Sequence, residues 1–177
     1  MEKLNAKMIV HHLNQFVIED LQRNQLYLWV WHADKIPPHI GCSINGSYFS
    51  LKANGTDLNL PITKTMALIN KKQIPSLLIA VDKNLSEEAL KTVYSSYSKA
   101  EANFSTCLTP LLDLFENPKD VKQLSTFLHY LSKEGLLKSI FGLHLNSDYN
   151  GLPEYTIDAI NERLQKLNDV KRKNSIS

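Results

Sequence analysis

The chain contains residue types that could carry out acyl transfer through a cysteine. It has two cysteines, Cys42 and Cys107, and a histidine, His39, that lies three positions before the first of them. A cysteine becomes a strong nucleophile when an adjacent histidine takes the thiol proton, and it then forms a covalent acyl intermediate with the substrate. The first question is therefore which cysteine the fold places beside His39.

Cys42 lies in a segment, residues 39–52, that is predicted to form a β-hairpin. Asn45-Gly46 is a strong signal for a two-residue turn, and apolar and small polar residues alternate around it. In this register Cys42 faces Phe49, and both belong to the apolar face of the hairpin, whereas His39 belongs to the opposite face. Cys42 is therefore predicted to be a core residue with a raised pKa and little nucleophilicity.

His39 shares its predicted face with small residues. Gly41 and Ser43 lie on this face, together with Ser50 and Lys52 of the second strand. Gly41 and Ser43 are expected to leave room for a molecule that approaches the imidazole. A hydrogen-bonded histidine at the start of a strand is the alternative interpretation of His39.

Cys107 is predicted to lie at the N-terminus of a helix. Pro110 has no N–H group and fits only the first turn, so the helix within residues 104–115 must begin close to it. Either Thr106 caps this helix and Cys107 is its first residue, or Thr109 is the cap. Unpaired N–H groups at a helix start can lower the pKa of a thiol and can hold an oxyanion. A small, half-buried structural cysteine is the alternative interpretation.

The order of these features resembles a known enzyme superfamily. A histidine on a strand, a hairpin, and a later cysteine at a helix start are similar to the circularly permuted branch of the NlpC/P60 papain-like superfamily, which includes the lecithin:retinol acyltransferase-like and PPPDE-type groups. The likeness is carried by HIGCSINGSYFSL, residues 39–51, and STCLTPLLDLF, residues 105–115, within residues 26–115. Papain has its cysteine before its histidine, whereas the permuted forms have the order of His39 and Cys107.

The resemblance implies roles for three residues. Cys107 would be the nucleophile, His39 the general base, and a third polar residue would orient the imidazole. Ser50 is the nearest candidate for this third position, because Lys52 is a hydrogen-bond donor and carries the same charge as imidazolium.

The resemblance also implies a reaction. The expected function is that of an intracellular cysteine hydrolase or acyltransferase that acts on an amide, isopeptide or ester bond through a thioester. Its substrate would be a peptide, an isopeptide-linked protein or a small amide, and neither a cofactor nor a metal ion is expected. The alternative is a non-catalytic binding or assembly protein that retains the papain-like fold, which the absence of a strong third residue favours.

The elements around these residues predict an α+β fold, in which an antiparallel meander is packed with helices. Residues 26–33 and 76–82 are apolar enough to be buried strands. The first segment, residues 5–23, has near-helical spacing, although its early part could be extended. Further helices are predicted in residues 61–72, 86–98, 104–115, 117–140 with a break at Gly135, and 151–173, where Ile157, Ile160, Leu164 and Leu167 form one stripe.

The chain is predicted to be a single domain, residues 1–177. Residues 25–116 would form the permuted papain-like core. The helical C-terminal third, residues 117–177, would cover the sheet, bind a partner or form a homo-oligomer.

Composition excludes several classes of protein. The net charge is only +2 and the basic residues are scattered, so nucleic acid is not an expected partner. Lys3, Lys7 and His11-His12 interrupt the first apolar segment, so neither a signal peptide nor a membrane span is expected, and the protein is predicted to be cytoplasmic. Two cysteines do not make a disulfide framework. The spacing of His32, Asp34 and His39 fits no standard metal site.

Overall fold

A computed structural model describes residues 10–13, 19 and 21–174. These residues contain seven strands and five helices. The strands are β1 (Val10–Leu13), β2 (Leu26–Trp31), β3 (His39–Ile44), β4 (Ser47–Lys52), β5 (Gly55–Pro61), β6 (Ser76–Val81) and β7 (Leu137–Leu143). The helices are α1 (Ile62–Lys72), α2 (Glu87–Ser95), α3 (Thr109–Leu114), α4 (Leu124–Lys133) and α5 (Ile157–Asn174).

The seven strands form one sheet in the order β1-β7-β6-β2-β3-β4-β5. Every neighbouring pair is antiparallel except β1 and β7, which are parallel. Strands β2 to β5 form the predicted meander, with β5 as an additional strand beyond the three that were predicted. The mixed α+β class, with a mostly antiparallel sheet, is therefore confirmed.

The predicted hairpin of β3 and β4 is confirmed together with its register. Cys42 pairs with Phe49 and Gly41 pairs with Ser50 across the two strands. Cys42 and Phe49 are fully buried in the larger of two apolar clusters, as the alternation requires. The local turn and the period of two therefore determine which face each side chain takes.

Helices cover both faces of the sheet. The larger apolar cluster joins the sheet to α2, α3, α4 and α5, and it includes buried residues such as Tyr94, Leu111 and Phe127. The smaller cluster lies on the opposite face, where α1 contributes Met66 and Ile69 next to Trp29. The sheet is thus the middle layer of three, and side chains of both faces are buried.

Two predicted helical segments contain strands instead. The prediction that the helix continues to residue 140 is wrong: α4 ends at Lys133, and Gly135 breaks it with a φ of 68°. β7 follows and pairs with β6, so part of the C-terminal third belongs to the sheet. A short apolar segment is compatible with the period of a helix and with that of a strand. Here the segment pairs with the edge of β6 and is a strand.

The N-terminal segment differs in a similar way. Val10–Leu13, predicted to be helical or extended, forms β1 and pairs with β7. The remainder of the predicted helix, at residues 14–18 and 20, lies outside the described residues. Across the residues that the structure describes, no helix has both the length and the apolar character needed to cross a membrane.

Candidate active site

One large cavity lies where β3 begins and β4 ends. Its volume is about 820 Å³, which is within the usual range for a small-molecule site. His39 and Cys107 both line it, and α5 forms one of its walls. The fold therefore brings two of the three predicted site residues to the same cavity.

His39 is the first residue of β3 and lies on the face of the sheet that carries Trp31. The centroids of the two rings are 6.5 Å apart in an edge-to-face arrangement. Burial lowers the pKa of His39 to about 4, the charge of Asp57 acts in the opposite direction, and Lys52 and His32 add to the lowering. At neutral pH the imidazole is therefore uncharged, and it is a weaker base than an exposed histidine.

The space above Gly41 is filled by the protein itself, contrary to expectation. A β-carbon placed on Gly41 would lie 2.3 Å from the hydroxyl of Tyr48. An aromatic side chain also contacts Ser43: its hydroxyl accepts a 2.8 Å hydrogen bond from the indole N–H of Trp29. The small residues of β3 therefore accommodate aromatic rings, and the cavity at the strand end is the described space that His39 lines.

Asp57 is a charged neighbour of His39 that the sequence interpretation missed. It lies in β5, opposite Ser50, and its carboxylate accepts a hydrogen bond of 2.7 Å from the Ser50 hydroxyl. Lys52 forms an ion pair with the same carboxylate. A two-residue loop at Asn54-Gly55 would place Asp57 opposite Lys52. In the structure Lys52 pairs with Gly55, the loop is at residues 53–54, and Asp57 is opposite Ser50.

Ser50 differs in position from the other two predicted site residues. It is fully buried in β4 and is not among the residues that line the cavity. Its hydroxyl donates to Asp57, so the polar group that acts electrostatically on His39 is the carboxylate rather than the hydroxyl. Ser50 holds Asp57 in place from the neighbouring strand.

Cys107 lies just before α3, which begins at Thr109 with Pro110 in its first turn. The hydroxyl of Thr109 accepts a hydrogen bond from the Thr106 N–H at 2.8 Å, and the hydroxyl of Thr106 accepts one from the Leu108 N–H at 3.2 Å. The prediction of Thr106 or Thr109 as the cap is wrong, because the N-cap is Leu108, which has no side-chain cap hydrogen bond. Both threonine hydroxyls instead hydrogen-bond the turn that holds Cys107. The side chain of Cys107 packs against the larger apolar cluster.

The pKa of Cys107 is raised, whereas its position next to a helix start predicted a lowered one. Burial is the main cause of the raised pKa. Backbone hydrogen bonds from Ile40, Cys107 and Leu108 stabilise the thiolate and lower the pKa, but their effect is smaller than that of burial. The resting thiol is therefore protonated at neutral pH. The effect of Ile40 also locates the sulfur beside the residue that follows His39 in β3.

The sheet alternation separates Cys42 from His39, whereas Cys42 and Cys107 both pack in the larger apolar cluster. Cys42 is fully buried, and its thiol donates a hydrogen bond to the hydroxyl of Tyr94 at 3.5 Å. Burial raises its pKa to about 12, and the hydrogen bond with Tyr94 opposes this rise only in part. Cys42 is thus an inert thiol and provides a matched control for Cys107.

His39 and Cys107 are the histidine and cysteine that the sequence analysis selected, and both line the cavity. His39 and Cys107 form no hydrogen bond with each other in this structure, where both groups are neutral. Among the described residues, no group of three or more histidine, cysteine, aspartate and glutamate side chains could hold a metal ion. The described lining of the cavity therefore includes a thiol and an imidazole.

A scan against protein-family models and searches of curated proteins and of solved structures found no match to this chain.

The free energy of unfolding is expected to fall as the pH decreases from about 6.5 to 4. In this range the unfolded chain binds a proton at His39 and the folded chain does not, because burial lowers the pKa of His39 to about 4. The loss from this one group is on the order of 3 kcal/mol at most. Urea denaturation at several pH values would measure it. A His39→Gln variant should lose this part of the pH dependence, and a parallel decline in both proteins would contradict the assignment.

Proposed function

We propose that the protein is a cysteine hydrolase or acyltransferase in which Cys107 is the nucleophile and His39 the general base. The observation that carries the proposal is that both residues line one cavity, with the sulfur of Cys107 beside the backbone of Ile40. Its fold would be a circularly permuted papain-like core, in which the strand of His39 precedes the cysteine. The order of β3 and α3 along the chain supports this relationship.

The reaction would begin from neutral groups. His39 accepts the thiol proton as the sulfur of Cys107 attacks the carbonyl carbon of an ester or amide, and a tetrahedral intermediate forms. His39 then donates that proton to the leaving alcohol or amine, and the acyl group stays on sulfur as a thioester. Water or another nucleophile attacks the thioester, gives its proton to His39, and restores the free thiol.

Charged and polar groups around the dyad would stabilise the developing charges. The carboxylate of Asp57 favours the protonated form of His39, so it stabilises the imidazolium that appears during attack. Backbone N–H groups beside Cys107 would hold the oxyanion of the tetrahedral intermediate. Asp57 acts through His39, which makes it a positioning residue rather than a catalytic one.

Acylation by p-nitrophenyl acetate tests this proposal directly. Intact-mass measurement at pH 7 should show the addition of one acetyl group, and peptide mapping should place it on Cys107. A Cys42→Ala variant should acylate at the same rate, because Cys42 is fully buried and is not among the residues that line the cavity. Equal acylation rates in the wild type and a His39→Gln variant would overturn the assignment of the base.

A non-catalytic binding protein with the same cavity is the second candidate. The raised pKa of Cys107 favours it, because a protonated thiol is a poor nucleophile unless a base removes its proton. This candidate requires that no acyl-enzyme forms with any activated ester while ligands still bind in the cavity. The enzyme and the binding protein therefore differ only in whether an acyl group becomes attached to Cys107.

A further inference from the structure

We propose that the cavity binds an aliphatic substrate with an anionic group, and that Arg163 of α5 selects for the anion. This inference rests on the proposed function, since the ligand would be the acyl substrate of Cys107. It concerns α5, which lies outside the predicted papain-like core. Two observations support this inference: the charge of the residues that line the cavity, and the apolar composition of the groove along α5.

The charged residues that line the cavity are all cationic. They are Lys35, Lys52 and Arg163, and none of the described aspartate and glutamate residues lines it. Lys52 is already paired with Asp57. The side chains of Lys35 and Arg163 form neither an ion pair nor a hydrogen bond with any described residue, so their charges are available to a ligand. An anion placed between them would be attracted by both.

An apolar groove runs from these cations along α5. Ile160, Leu164, Leu167 and Val170 all line the cavity. These residues span about 15 Å of helix, at about 1.5 Å per residue. Val170 is 58% exposed at the mouth, so the groove is open to an incoming chain. Burying apolar ligand surface against this stripe would contribute most of the binding free energy.

The opposite wall is also apolar and offers few main-chain partners. Pro37 and Pro38 line the cavity and have no N–H groups, and Ile36, which also lines it, is 52% exposed. The backbone groups of α5 are used within the helix. A peptide main chain lying here would lose hydrogen bonds to water without replacement, which is costly, whereas an aliphatic chain has no such groups. The groove therefore favours an aliphatic chain over a peptide.

Ligand binding to a Cys107→Ser variant separates this inference from catalysis. Isothermal titration calorimetry would compare decanoate, decan-1-ol and decyltrimethylammonium, which share a chain and differ in charge. Decanoate is expected to bind roughly tenfold to a hundredfold more tightly than decan-1-ol, as expected for charge-assisted contacts. Equal affinities for the three probes, or preference for the cation, would overturn the proposal.

Substitutions on α5 test the role of Arg163. Arg163→Glu should remove the preference for decanoate, whereas Lys166→Glu should leave it within about twofold. Lys166 is an exposed cation of the same helix that does not line the cavity, so it makes the same change in net charge. An equal loss in both variants would show a general charge effect and would contradict selection by Arg163.

Further measurements test the class of ligand separately from the acyl-transfer function. Acetyl-trileucine carries the same charge as decanoate, and tighter binding of this peptide would overturn the aliphatic assignment. Decanoate binding without acylation of Cys107 in the wild type would remove the proposed function and leave an anion-selective binding protein. If Cys107 is acylated but Arg163→Glu leaves the preference for decanoate unchanged, the proposed function stands and only the role of Arg163 is wrong.

Discussion

Replacement of His39 by glutamine is expected to lower the turnover of p-nitrophenyl acetate by roughly 10²- to 10⁴-fold, the usual contribution of a general base. Glutamine has a similar size but cannot accept the thiol proton, and the thiol of Cys107 is protonated at neutral pH because burial raises its pKa. Steady-state kinetics at pH 7 would measure the loss. His129→Gln is the matched control, because His129 is exposed on α4 and does not line the cavity.

The pH profile distinguishes a base from a residue that only supports the fold. If His39 is the base, kcat/KM should fall on the acid side near pH 4, since burial lowers its pKa to about that value. Asp57→Asn should move this limb to lower pH, and Lys52→Met should move it to higher pH, because the two charges act on His39 in opposite directions. If neither variant shifts the acid limb of the kcat/KM profile, the assignment of His39 as the general base is wrong.

Replacement of Trp29 by alanine is expected to lower the free energy of unfolding by about 3–5 kcal/mol. Trp29 is fully buried in β2 between β3 and β6, where its ring meets that of Tyr48 edge to face at 6.1 Å. Its indole N–H donates to the hydroxyl of Ser43 at 2.8 Å, so the substitution also leaves a buried hydroxyl without this partner. Urea denaturation followed by circular dichroism would measure the change.

Phe104 provides the matched control for this substitution. Its side chain is 85% exposed, so Phe104→Ala should change stability by no more than about 0.5 kcal/mol. Ser43→Ala should cost about 1–3 kcal/mol, because it removes the buried hydroxyl that accepts the hydrogen bond from the Trp29 N–H. A loss below about 1 kcal/mol in Trp29→Ala would show that the core of this face is not packed as described.

The sequence by itself determined the features that depend on neighbouring residues. The turn at Asn45-Gly46 and the alternation around it set the register of β3 and β4, and with it the burial of Cys42. Pro110 fixed the start of α3 to within a few residues, which located Cys107 beside a helix start. Turn chemistry and side-chain period act over a few residues, so a single chain contains enough information to predict them.

Tertiary structure alone decided the electrostatic character of the site and the shape of its cavity. Asp57 reaches the vicinity of His39 only because β5 pairs with β4, and burial under helices from distant segments reverses the expected pKa direction of Cys107. The apolar stripe of α5 was visible in the sequence, but that it faces the cavity of Cys107 follows from packing between segments more than 50 residues apart. Burial and desolvation depend on the whole assembled chain, so local patterns do not predict them.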